Sequence, residues 1–371
     1  EQDLRTWVRE AGPGDAWLDA LRRFRRRELL RIGTLDMCLG AELETITRDL
    51  SSLAATVLQV ALERCRADLQ AEGRMAKAEP EAGKGFCMLA FGKLGGEELN
   101  YSSDLDLIGV VEAPASPESD VVGDGARLLE AVRSALTRHT SEGYTYRLDF
   151  RLRPYGSSGE FIHTLDSLEG YYHDEASPWE IQALLKLRPV AGDLETGRRM
   201  VERLQPFLLQ ERSATELGAS IDGMRRQSMQ QAARGMVCGL NIKSGEGGIR
   251  DIEFLVQGLQ LLHALAHPGL LGGHTLRALE ALSGAGILPR NTADDLRGDY
   301  VMLRRIEHCL QILEDQQIHS LPTDSDALAA LARRVAGPRA APEAFLRDLQ
   351  ARMQRVHTAY LHYLPGTEER H

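Results

Sequence analysis

The segment DLDLIGVV, Asp104 to Val111, sets two carboxylates two residues apart at the head of an apolar run. Residues two apart on a strand face the same side, so Asp104 and Asp106 project together while Leu105 and Leu107 enter a core. Two like charges so close repel, and a divalent cation between them turns the repulsion into attraction. Oxygen ligands of this kind suit Mg²⁺, with Mn²⁺ as its substitute. The plainer alternative is a pair of solvated carboxylates on an edge strand, and the flanking sequence shifts the balance toward the metal site.

Upstream, Phe86 to Phe91 reads as a short strand, and the turn GKLGG, Gly92 to Gly96, ends eight residues before Asp104. Glycines there let backbone approach a phosphate closely, which makes Gly95 and Gly96, with Ser103 beside the first carboxylate, candidate nucleotide-binding residues. A GG turn alone usually only reverses a chain; followed by a paired-Asp strand it points to nucleotidyl transfer. Downstream, YTYRLDFRLR, Tyr144 to Arg153, alternates strictly and predicts a third strand. Its apolar face carries Leu148, Phe150 and Leu152, its polar face Arg147, Asp149, Arg151 and Arg153. That polar face is either a salt-bridged outer surface or the wall of a cleft. In the second case Asp149 joins Asp104 and Asp106 as metal ligand and catalytic carboxylate, and Arg151 and Arg153 meet phosphate oxygens, which their planar fork suits. The expected chemistry is two-metal phosphoryl transfer, one ion positioning the attacking oxygen and the other stabilising the leaving oxygen.

A length of 371 residues implies two or three units rather than one core. With 43% hydrophobic but only 5% aromatic residues, and Leu, Ala, Arg and Glu dominant, the composition favours helix over sheet. The expected fold class is therefore α+β: an N-terminal helical segment over residues 1–80, a catalytic domain with a short mixed sheet over 81–195, and a C-terminal helical bundle over 196–371. The polar stretch 72–84 reads as the first linker. Helices are predicted within 15–71 and over 125–140, then from a capped start at Ser177, Pro178 and Glu180, after which helical patterns dominate, clearest at 214–236, 249–266, 275–284, 292–318 and 342–363.

A formal charge of −10 argues against a general nucleic-acid surface. The five cysteines are scattered and form no CxxC pair, so neither a disulfide framework nor a zinc site is expected, and a cytoplasmic location fits. The most apolar stretch, 258–271, is too short to span a bilayer, and no signal peptide is visible. A start at Glu1 rather than Met and a polar end, GTEERH, suggest a piece of a longer enzyme.

Three other features have two readings each. Gly245 to Gly248 before Ile249 form either an anion-binding helix start or a tight turn, with Asp251 and Glu253 as helix N-terminal charge. His263 and His267, four apart, have no third ligand beside them and read as structural. The arginines of RRFRRR, Arg22 to Arg27, fit the solvated side of a helix better than a surface for an acidic partner.

With GKLGGEELNYSSDLDL, RLDFRLRPYGSSG, PWEIQALLKLRPVAGD and GEGGIRDIEF in order, the chain resembles the glutamine synthetase adenylyltransferase family over roughly residues 90–322. The resemblance implies a polymerase β-like nucleotidyltransferase domain and one of two homologous halves, one attaching AMP to a tyrosine of glutamine synthetase and the other removing it. It implies glutamine synthetase as protein substrate, phosphate and adenine nucleotide as small ligands, and the PII signalling protein and a second nucleotidyltransferase half as partners. Asn100 to Asp104, NYSSD, is similar to the removing half where the attaching half tends to GYGSD; Arg250 and the segment Arg304 to Pro322 point the same way. Gln182, Ala183 and Leu184 are closer to the attaching half. The removing half is phosphorolytic, releasing ADP, and Lys186 joins Arg151 and Arg153 as a candidate for holding phosphate. The rivals are the ATP-dependent attaching half and a catalytically silent, ligand-sensing domain.

Overall fold

A computed structural model describes residues 1–12, 14–75, 85–113, 120–234, 239–312 and 317–366. It is mixed α+β and divides into two compact units, one of residues 1–99 and 103–207, the other of 100–102 and 208–371.

The first unit opens with three helices, α1 (Gln2–Glu10), α2 (Ala16–Met37) and α3 (Leu43–Ala71). Along α3 the residues Ile46, Leu50, Ala54, Val57, Leu58, Ala61, Leu62 and Cys65 recur at helical spacing and are all buried. The chain then forms β1 (Phe86–Ala90), the single turn α4 (Gly92–Gly95), β2 (Leu105–Val111), α5 (Val121–Thr137), β3 (Leu148–Asp149), β4 (Ile162–Thr164), α6 (Leu165–Asp174), α7 (Pro178–Ala183), β5 (Arg188–Gly192) and α8 (Leu194–Leu208). β1 is buried along its whole length and runs antiparallel to both β2 and β5. β2 has two parallel neighbours on one edge: β3 pairs with its first residues and β4 with its last.

The N-terminal helices do not stand apart as an 80-residue segment. α3 packs on α5 and β5, so its apolar face helps form the core under the sheet. The linker expected at 72–84 falls mostly on residues outside those described. The second expected boundary, at 195, lies within the first unit, because Met200, Leu204 and Phe207 of α8 are buried and belong to that unit.

The third strand is much shorter than the alternation of Tyr144 to Arg153 predicts. Only Leu148 and Asp149 pair with β2. Before them the N–H groups of Thr145 and Tyr146 donate to the Leu136 carbonyl at the end of α5, and after them the chain turns, with Arg153 N donating to Phe150 O at 3.2 Å. β5 interrupts the region read as helical, and its Pro189 sits where the register with β1 shifts, a place where a missing N–H costs no ladder bond. The capped start is present as expected: Ser177 N donates to Glu180 Oε2 at 2.9 Å, with Pro178 in the first turn.

In the second unit α9 (Ala214–Arg234), α10 (Ile249–His263), α11 (Thr275–Gly284), α12 (Arg290–Gln311), α13 (Ser325–Ala336) and α14 (Pro342–Tyr363) pack around α10 and α12. The helix expected over 292–318 ends at Gln311; residues 313–316 are outside the description, and His319 to Leu321 pair in extended form with Leu240 and Ile242. Among the described residues no helix is long and apolar enough to cross a membrane.

Candidate active site

Strand register builds the site. β2 and β3 run parallel with Leu105 opposite Leu148 and Asp106 opposite Asp149. In-register neighbours project to the same side of a sheet, so Asp106 and Asp149 stand side by side, with Asp104 one pleat away on the same face. Like charges directly opposite each other destabilise a strand pair, which marks this row as one kept for something other than stability. Leu105 is fully buried beneath it, so the strand cannot rotate its carboxylates away without exposing the core.

Two arginines of the same face engage the outer carboxylates. Arg147 Nε donates to Asp104 Oδ1 at 2.5 Å, and its Nη1 reaches Tyr144 Oη at 2.6 Å. Arg151 donates through Nε to Asp149 Oδ2 at 2.8 Å and through its backbone N–H to Oδ1 at 2.8 Å. Burial alone would raise the Asp149 carboxyl; the Arg151 side chain and N–H outweigh it and hold the group below its ordinary value. Arg151 in turn is raised, first by its bonds to Asp149 and then also by the fields of Asp106 and Asp104. The Arg151 side chain is 79% exposed, so it can leave Asp149 at little packing cost.

The turn before the site shapes it sterically. At Gly92, with φ of +56°, a Cβ would lie 2.3 Å from Asp106 Oδ2, so only glycine lets that carboxylate rest against the turn. The expected phosphate contacts Gly95 and Gly96 are placed otherwise: their N–H groups donate to Phe91 O and Gly92 O, both at 3.0 Å. A Cβ on Gly95 would sit 1.8 Å from the Lys186 carbonyl, so this glycine serves a close backbone crossing. Ser103 is half-buried immediately before Asp104.

The remaining basic candidates are engaged in structure. Arg153 is buried and donates to the carbonyls of Gly159 (2.8 Å), Phe150 (2.9 Å) and Ser157 (2.8 Å), with its guanidinium 4.3 Å from the Phe161 ring centroid. Lys186 is buried against Glu98, Nζ to Oε2 at 2.7 Å. Of the three candidates for phosphate, only Arg151 presents its side chain to solvent beside the aspartates. Alternation in the sequence grouped Arg147 with Asp149; its pairing with Asp104 needed the register. Glu98 carried no signal, since an acidic residue beside Glu97 reads as surface.

As for fit, three carboxylates on adjacent register positions are the donor chemistry a hard divalent cation takes. Among the described residues, however, no three His, Cys, Asp or Glu side chains converge as a ready cluster. The ion pairs to Arg147 and Arg151 hold two of the three carboxylates toward guanidiniums.

Elsewhere, the GEGG segment is a tight turn: Gly245 N donates to Asn241 O, Gly248 N to Gly245 O and Gly247 N to Asp251 Oδ2. Asp251 also takes a buried bidentate pair from Arg225 at 2.7 and 3.0 Å. RRFRRR is not a solvated face throughout. Arg22 is buried and donates to the carbonyls of Leu18 in its own helix, Ala135 at the end of α5, and Arg138 and Gly143 in the turn that follows, and Arg25 is buried with its guanidinium 4.7 Å from the Tyr146 ring. His263 and His267 join no metal-binding group among the described residues.

Comparison with known proteins places both units in known families. The family model for glutamate-ammonia ligase adenylyltransferase matches residues 1–203, and the one for GlnD PII-uridylyltransferase matches residues 215–362. Three relatives named bifunctional glutamine synthetase adenylyltransferase/adenylyl-removing enzyme are representative. That of Xanthobacter autotrophicus is 36% identical over 350 residues, 92% of this chain and 35% of the relative. That of Pseudomonas aeruginosa is 39% identical over 316 residues, 82% of this chain and 32% of the relative. That of Cutibacterium acnes is 37% identical over 335 residues, 88% of this chain and 32% of the relative. The chain thus spans about a third of the length of the curated relatives it matches. The first of the two family models covers more than half of the chain, including the paired-Asp strand and its parallel neighbour, and the chain belongs to the glutamate-ammonia ligase adenylyltransferase family.

Proposed function

We propose that this chain removes AMP from an adenylylated tyrosine of glutamine synthetase by phosphorolysis, on a polymerase β-like nucleotidyltransferase scaffold. The observation that carries the reading is the register of Asp106 opposite Asp149, with Asp104 on the same face, on a short parallel pair at the edge of the sheet. Asp104, Asp106 and Asp149 would hold Mg²⁺, which, when bound, supplies charge stabilisation at the reacting phosphorus. Arg151, exposed and bonded to Asp149, is the residue that turns to inorganic phosphate with its fork of donors. Arg153 and Lys186 keep the loops around the site in place.

In the reaction an oxygen of inorganic phosphate attacks the AMP phosphorus, the bond from phosphorus to the tyrosine oxygen breaks, and the electron pair leaves with the phenolate. The products are ADP and a phenol that takes up a proton from water; a leaving group with a pKa near 10 needs no strong acid. What favours removal over attachment is the segment Asn100 to Ser103, with Arg250 and Arg304 to Pro322. The attaching direction would use the same carboxylates, and Gln182 to Leu184 are its only letters here.

The test is directional. Incubated with Mg²⁺, phosphate and adenylylated glutamine synthetase, the chain should release ADP; with ATP and the unmodified synthetase it should incorporate little AMP. The opposite pattern would make it an attaching half. Activity in neither direction, with no Mn²⁺ bound, would support a silent sensing domain.

A further inference from the structure

We propose that Arg147 competes with the divalent cation for Asp104 and thereby couples cation binding to the arrival of a substrate phosphate. The inference rests on the metal assignment above and goes beyond it by giving a role to a residue that assignment does not use.

Arg147 directly precedes β3, and its carbonyl accepts from Leu105 N at 2.9 Å, which fixes it beside Asp104. Its Nε lies 2.5 Å from Asp104 Oδ1. The guanidinium is held from its other side as well, by Tyr144 Oη at 2.6 Å and by the Tyr144 ring, whose own neighbour is the His139 ring at 5.1 Å between centroids. Arg147 and Asp104 side chains are each only about a third exposed, at 38% and 35%, so water screens the pair incompletely. Arg151 differs: it is 79% exposed and, among the described residues, its hydrogen bonds go to Asp149.

A cation drawing on Asp104 must share its oxygens with this guanidinium or displace it, and the two positive charges then repel at close range. Affinity at the Asp104 position is therefore lower than three carboxylates would give. A phosphate group bound at the site offers Arg147 a second anionic partner and relieves the repulsion. By linkage, cation and phosphate then strengthen each other's binding. Such a device discourages tight cation binding until the nucleotide phosphate is in place.

The experiment measures Mn²⁺ binding by electron paramagnetic resonance for the wild type and for Arg147→Ala, Arg147→Gln, Arg147→Lys and Asp104→Asn, with and without AMP, after circular dichroism has confirmed folding. The expected result is Mn²⁺ bound about tenfold more tightly in R147A and R147Q, within about threefold of wild type in R147K, with AMP strengthening binding in the wild type more than in R147A. Unchanged or weaker Mn²⁺ binding in both R147A and R147Q would overturn the role of Arg147 while leaving the metal site standing. Wild-type chain that binds no Mn²⁺, with or without AMP, would overturn both.

Discussion

Arg304 of α12 donates to the side-chain carbonyl of Asn100, and both residues are buried, at 0% and 2% exposure. Arg304 also bonds Tyr300 Oη at 2.8 Å and lies 3.3 Å from Glu307, while Ser102 N donates to Gln311 Oε1 at 3.2 Å. Two of the residues that resemble the removing half are thus partners in one network, built around the segment that leads directly into Ser103 and Asp104.

Replacing Asn100 by Gly, the residue typical of the attaching half, should therefore cost stability first. Loss of a buried acceptor from a guanidinium is expected to lower unfolding free energy by roughly 2–4 kcal/mol. Urea denaturation checks the loss, and the two-way adenylylation assay checks that N100G does not acquire ATP-dependent transfer. A stable variant that gains transfer would show that Asn100 acts on the substrate.

Asp104→Asn, Asp106→Asn and Asp149→Asn should each lower turnover by about a hundredfold or more, because each removes charge from the proposed metal site without changing core volume. For Asp106→Asn, thermal unfolding should show little loss or a gain, since it relieves repulsion with the carboxylate opposite. Near-wild-type turnover in any of the three would remove that residue from the site.

The basic residues should separate by what they lose. Arg153→Ala and Lys186→Ala strip buried partners from three carbonyls and from Glu98, and each is expected to destabilise by about 3 kcal/mol in chemical denaturation. Arg151→Lys should leave stability nearly unchanged and raise KM for phosphate by about tenfold, since the planar fork is lost while the charge stays. A Lys186 variant of normal stability with impaired phosphate use would restore Lys186 as a direct phosphate contact.

Asp149 has an acid-stability signature. Its carboxyl sits below its ordinary value of 3.8 in the folded chain, so its contribution is present above that value and is lost as pH falls through the lowered one. Between about pH 5 and pH 2.5 the urea midpoint of the wild type should fall more steeply than that of Asp149→Asn. Parallel curves would show that the Arg151 pair adds nothing to stability.

The row of carboxylates could be read from the sequence because period-two alternation states which residues share a side, and DLDLIGVV carries that pattern beside a buried run. The same rule overextended the third strand: Arg151 and Arg153 continue the alternation, but Arg153 is drawn to the carbonyls of Phe150, Ser157 and Gly159, and the chain turns. Partners remote in sequence left no trace. Glu98 opposite Lys186, and Arg22 beneath the end of α5, are charged residues whose burial depends on who meets them, which local pattern does not encode. β4 and β5 are too short and too mixed to stand out, and a proline such as Pro189 disfavours a strand except where the ladder is interrupted, as at its register shift with β1.

The most direct measurement follows a labelled atom. With adenylylated glutamine synthetase, Mg²⁺ and ³²P-labelled inorganic phosphate, phosphorolysis places the label in the β-phosphate of ADP, in amounts equal to the tyrosine set free, and Asp106→Asn abolishes it. Release of unlabelled AMP, or AMP transfer from ATP with no labelled ADP, would contradict the removal of AMP by phosphate attack at this site.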